Sequence, residues 1–225
     1  MSDRCIGLAR LAGIGIATGV AVLGVSCRHS KPAHNLDLDA IHVSPDARLR
    51  TDVVGDDKFA STASFVLVDA ENAATEGAYI TLGGELHDAT GARVGELRGQ
   101  SLWIPPHEAR TFALVDTERV PRPTAASARI KVFGAVIPDE PPRAHIADLH
   151  SFDDRGKIVV RAYLVNTADR AGQIMVIGSF HDAHNEPMTR PFELIDIAAH
   201  DRQVVQFVGP EGSTRGTIFV GDAIY

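Results

Sequence analysis

Two dipeptides in this chain carry the residue types that most often do chemistry. His87-Asp88 lies in GGELHDATGARV, residues 83–94, and His181-Asp182 lies in IGSFHDAHNEPM, residues 177–188. An imidazole beside a carboxylate can move a proton or ligate a divalent metal. The second segment adds His184 and Met188, so His181 and His184 are the metal candidates. Zinc or copper needs three or four converging ligands. Thr90 stands in the first segment where His184 stands in the second, so the histidine pair is not part of what recurs. The expectation is no resident metal and no cofactor. A periplasmic metal-binding role for surface histidines of the second segment is the alternative.

A turn accounts for the recurrence. Aspartate at the first position of a type I turn accepts bonds from N–H groups further along. Glycine or asparagine at the fourth tolerates the left-handed backbone that re-enters the next strand. Asp88-Ala89-Thr90-Gly91 and Asp182-Ala183-His184-Asn185 both satisfy this. The histidines share strand parity with Glu85 and Ser179, which places them on an outer face, expected to meet solvent. His107 and His200 also recur and read as solvated loop residues. Trp103, between Leu102 and Ile104, reads as a packing residue. No nucleophile elbow, phosphate loop, dinucleotide fingerprint or HExxH motif occurs, and the glycine-rich GPEGSTRG (209–216) joins apparent strands. The chain therefore reads as non-catalytic, with an enzyme site between the two copies as a further alternative.

The elements that hold these turns are themselves duplicated. Residues 66–91 align without gaps on residues 160–185. Val66, Asn72, Ala74, Ile80, Gly84, His87, Asp88 and Ala89 match Val160, Asn166, Ala168, Ile174, Gly178, His181, Asp182 and Ala183. Further on, Ile104-x-x-His107-Glu108 matches Ile197-x-x-His200-Asp201. Ile80, Leu82, Gly84 and Leu86 alternate with Thr81, Gly83, Glu85 and His87, the period-two pattern of a half-buried strand. Strands are expected at 64–71, 80–87, 101–104, 110–114 and 128–133, and again at 158–165, 174–181, 192–197, 203–208 and 216–221. Leading strands are expected near 49–54 and 145–149. Two tandem all-β sandwiches follow, over 46–137 and 145–225, joined by a Pro-rich linker at 138–144.

GELHDATGARV followed by LWIPPHEARTF resembles the FxLYD-type domain of bacterial envelope proteins, over much of each copy. His87 and His181 stand where that pattern has tyrosine, Asn185 replaces the turn glycine, and Ala198-Ala199 replace the prolines. The resemblance implies immunoglobulin-like sandwiches and an extracytoplasmic setting, and implies no catalytic activity.

The N-terminus supports export. Arg4 and Arg10 precede an uncharged run from Leu11 to Ser26. That run suits a signal h-region and is shorter than the roughly 20 residues of a membrane span. It ends in LGVSC, which resembles a bacterial lipobox, with Ser26 and Val25 in place and leucine one position early at Leu23. The resemblance implies signal residues 1–26, lipidation at Cys27 and a tether over 27–45. Cleavage by an ordinary signal peptidase or an uncleaved anchor are the other readings. Cys5 would leave with the signal, and lipidation would remove the remaining thiol. The formal charge of −7 argues against nucleic acid. The expected protein is exported and anchored in the bacterial cell envelope, at the periplasm or cell surface, where it binds or scaffolds another envelope protein.

One surface differs between copies. Val159, Tyr163, Val165, Met175 and Ile177 occupy core-opposed positions in the second copy, against Phe65, Asp69, Glu71, Thr81 and Gly83 in the first. An apolar outer face invites association. These five residues are the candidate partner surface, unless the first copy, the linker or the tether covers them. Placement on different sheets would split them into two smaller patches.

Overall fold

Period-two alternation and β-branched side chains favour strands, and strands are almost all that forms. The computed structural model describes residues 34–55, 58 and 60–225. The first repeat contains β1 (His34–Asn35), β2 (Ile41–Val43), β3 (Arg48–Val54), β4 (Ser61–Asn72), β5 (Ala78–Asp88), β6 (Arg93–Ile104), β7 (Ala109–Val115) and β8 (Ala125–Ile137). The second contains β9 (Ala144–Asp154), β10 (Lys157–Asn166), β11 (Gly172–His181), β12 (Pro187–Thr189), β13 (Phe192–Ile197), β14 (Arg202–Glu211) and β15 (Arg215–Ile224). A short 3-10 turn spans Leu38–Ala40.

Each repeat is a sandwich of two antiparallel sheets. In the first, β4 pairs with β2 and β3 along one edge and β7 along the other. The facing sheet centres on β5, flanked by β6 and β8, with β1 on the outer edge of β8. In the second repeat β10 lies between β9 and β14. Its facing sheet centres on β11, with β12 and β13 on one edge and β15 on the other. The central strands correspond between the repeats, β4 to β10 and β5 to β11, while β1 has no counterpart in the second.

Inward positions fill one core per repeat. Val66, Val68, Ile80, Leu82, Leu86, Phe112 and Leu114 are buried in the first, and Val160, Leu164, Ile174, Val176, Phe180 and Phe207 in the second. The matched asparagines have the same task in both. Asn72 Nδ2 donates to the carbonyls of Glu76 and Ile104, while its Oδ1 accepts from the Ala74 N–H. Asn166 donates to Arg170 and Ala198 and accepts from Ala168. A buried amide that satisfies backbone groups a turn would otherwise leave unpaired is costly to replace.

The expected strands form, most of them longer than the apolar pattern indicated. The expected tether does not stay outside the fold. Its described part contributes β1 to the edge of β8 and β2 to the edge of β4, with Ile41 buried in the first core. Leu36 and Val43 pack beside it, so this repeat begins well before residue 46. The apolar residues here are isolated between charged ones and give no run long enough to signal a strand. The signal segment 1–26 and Cys27 lie outside the described residues.

The two repeats share apolar packing. Ile177 of β11 and Phe219 of β15 are cross-strand neighbours. Both belong to the buried cluster of the first repeat. The outer face of β11 and β15 is therefore an internal contact.

Candidate functional site

The two hairpin corners have the geometry their residues require. Asp88 Oδ1 accepts from the N–H groups of Thr90 and Ala92, each at 2.9 Å, and from the Thr90 hydroxyl at 2.7 Å. Asp182 Oδ1 accepts from the N–H groups of His184 at 2.9 Å and Glu186 at 3.0 Å. Gly91 (φ 85°) and Asn185 (φ 66°) hold the left-handed position. Bonds from Thr90 and the turn backbone hold the Asp88 carboxyl below the usual carboxylate range, and those from Glu186 and His184 do the same for Asp182. Both aspartates close turns.

The histidines differ from expectation. They keep their outer-face parity, but His87 and His181 are buried rather than solvated. His87 Nδ1 lies 3.0 Å from the Gly91 carbonyl and braces its own hairpin. His181 reaches into the other repeat, where its Nε2 donates to Asp69 Oδ2 at 2.7 Å. His184 is exposed. Among the described residues no three His, Cys, Asp or Glu side chains are grouped to hold a metal ion. His107 and His200 do occupy matching exposed turns, with φ of 58° and 55°.

Asp69 is the hub of a polar contact between the repeats. Its Oδ1 accepts the Thr111 hydroxyl at 2.5 Å, and Ser179 Oγ lies 2.6 Å from Thr111 Oγ1. Burial opposes ionisation of Asp69. The bonds from His181 and Thr111, with the charges of His181 and Arg215, outweigh it and set the carboxyl below its ordinary range. Serine, histidine and aspartate meet here in the wrong order for nucleophilic catalysis. The aspartate separates the histidine from both hydroxyls, Ser179 is fully buried, and His181 Nδ1 is buried with no partner. The network fastens one sandwich to the other. Arg48, with its guanidinium against Glu186 (3.3 Å) and Asp182 (3.9 Å), extends the contact towards solvent.

The candidate partner surface divides between two sheets. Met175 and Ile177 lie on the outer face of β11; Ile177 is fully buried and Met175 packs on the first repeat's core. The first repeat covers them: Leu67 lines one cleft with Met175, and Thr111 meets Ser179 of the same strand. Val159, Tyr163 and Val165 lie on β10, on the outer face of the β9–β10–β14 sheet. Val159 is buried there between its cross-strand neighbours Phe152 and Val208. Tyr163 pairs with Val204, and its ring lies 3.7 Å from the Arg202 guanidinium. Phe152, Val204 and Val208 are 49%, 48% and 55% exposed. These three, which strand parity of one copy alone did not single out, are exposed large apolar residues of this sheet. A row of Gln206, Arg161 and His150 crosses between them.

Trp103 is half-buried, tilted against Tyr79 at 5.5 Å between ring centres, as a packing residue would be. It also borders a cleft of about 540 Å³ against Pro141 and Pro142. A second cleft, of about 520 Å³, opens between the repeats on the side of β3 and the β12–β13 connection. No protein-family model matches the chain, and no curated protein matches it.

Proposed function

We propose that this chain is a non-catalytic lipoprotein of the bacterial cell envelope, anchored by a lipid on Cys27. Its two FxLYD-like sandwiches form a binding or scaffolding module for another envelope protein. The observation that carries the reading is the outer face of β9–β10–β14. It exposes Phe152, Val204 and Val208 around Tyr163, interrupted by Arg161, Gln206 and His150. Apolar anchors mixed with arginine and tyrosine are the composition of a protein interface. The fastening of the repeats through Asp69 and His181 supports a rigid spacer role for the first sandwich. The lipobox-like LGVSC ending at Cys27 supports the anchor.

The test is site-specific photo-crosslinking in the native envelope. A crosslinker at Val208 is expected to give one discrete adduct that Phe152→Ser and Val204→Ser diminish. A crosslinker at the exposed Arg129 of the first repeat is expected to give none. Equal adducts from both positions, or none from Val208, would remove the docking face. Fatty-acid labelling is expected to mark the wild-type protein and leave Cys27→Ser unmarked.

A further inference from the structure

The cleft between the repeats is lined by a cation that has no ion-pair partner among the described residues. Arg190, in the connection between β12 and β13, donates from Nε to the Thr111 carbonyl at 2.7 Å. Its Cζ lies 5.8 Å from the centre of the Phe219 ring. Nη2 is buried and has no hydrogen-bond partner. Among the described residues no carboxylate forms an ion pair with it, although ion pairs are frequent elsewhere in the protein. Burial pulls its pKa down to about 10, which still leaves it charged at neutral pH. A buried guanidinium nitrogen without a hydrogen bond is costly.

The walls indicate what kind of ligand would complete it. Phe65, Val115, Met175 and Phe192 give the cleft an apolar lining, and its volume of about 520 Å³ falls in the range of small-molecule sites, roughly 300–1,000 Å³. The other charges on the lining, Arg50 and Asp52, lie 4.0 Å apart and offset each other. Among the described lining residues one positive charge is left, which suits a singly charged ligand. A guanidinium that lines a cleft matches the planar geometry that a carboxylate accepts.

We propose that this cleft binds a small monocarboxylate carrying an apolar chain, with the Arg190 guanidinium taking the carboxylate and the Phe65–Met175–Phe192 wall taking the chain. The site is formed by both repeats together, so the fastening at Asp69 and His181 also assembles it. It is separate from the β9–β10–β14 face, and either can fail alone.

Calorimetric titration of the full-length protein with hexanoate, acetate and hexan-1-ol tests the site. Hexanoate is expected to bind saturably, and acetate and hexan-1-ol at least about tenfold more weakly, because each lacks one half of the match. Arg190→Met is expected to lose hexanoate binding by at least about tenfold while melting no lower than wild type, since it removes a charge with no ion-pair partner among the described residues. Hexan-1-ol binding as well as hexanoate, unchanged binding in Arg190→Met, or no saturable hexanoate binding up to about 10 mM would each overturn the proposal. Should Arg190→Met fail to fold, the three ligands on the wild-type protein decide the matter without it.

Discussion

Ile177→Ser probes whether the two sandwiches stand as one body. Ile177 has no exposed surface, lies beside Phe219 on the next strand, and is part of the first repeat's core although it belongs to the second. Deleting a buried aliphatic side chain of this size costs about 2–5 kcal/mol. The serine hydroxyl adds about 1–3 kcal/mol if it finds no partner. A total of about 3–8 kcal/mol corresponds to a fall of roughly 6–32 °C in melting temperature for a domain of this size. The loss falls on the contact between repeats, so calorimetry is expected to show a second effect. The wild type should unfold in one transition, and the variant in two, with each sandwich melting by itself. Tyr163→Ser is the control. Its ring is half-buried under Arg202 on the open sheet, and its loss should cost no more than about 1.5 kcal/mol. If Ile177→Ser melted within about 0.5 kcal/mol of wild type, or lost less than Tyr163→Ser, the packing of β11 on the first repeat would be refuted.

Other outcomes follow from the same geometry. Asn72→Ala and Asn166→Ala are each expected to cost about 1–3 kcal/mol in urea melts, because each removes the amide that bonds two carbonyls and one N–H of its turn; a neutral effect in either repeat would contradict the shared role. Gly91→Val should cost about 1–2 kcal/mol by forcing a β-branched residue to positive φ, whereas Asn185→Gly should change stability by less than about 0.5 kcal/mol; comparable losses in both would argue against the turn geometry. Asp69 has a folded pKa below its ordinary value, so its contribution is fully present above about pH 4 and disappears as pH falls through the folded pKa. Asp69→Asn should therefore be less stable than wild type at pH 7, and the difference should shrink towards about pH 2; a gap that widened on acidification would reverse the assigned sign.

Much of this architecture was legible along the chain. The match of residues 66–91 to 160–185 announced two copies, period-two alternation announced strands, and Asp88 to Gly91 announced the corner, because each of these signals is local. Backbone sterics and hydrogen bonds within a few residues decide them whatever the rest of the molecule does. Strand parity also placed His87, His181 and Ile177 correctly on outer faces. What lies against an outer face is a different matter, since alternation records which side a residue points to and not whether water or another sandwich waits there. Only the tertiary structure brought Asp69 to His181, far away in the chain, and turned an outer-face histidine into a buried one. It also separated Ile177 from Tyr163 onto different sheets, drew residues 34–43 from the expected tether into the first sandwich, and left Arg190 half-buried with no ion-pair partner among the described residues. Those outcomes depend on how two folded units dock, and docking is settled by the summed fit of surfaces whose residues have no fixed spacing in sequence.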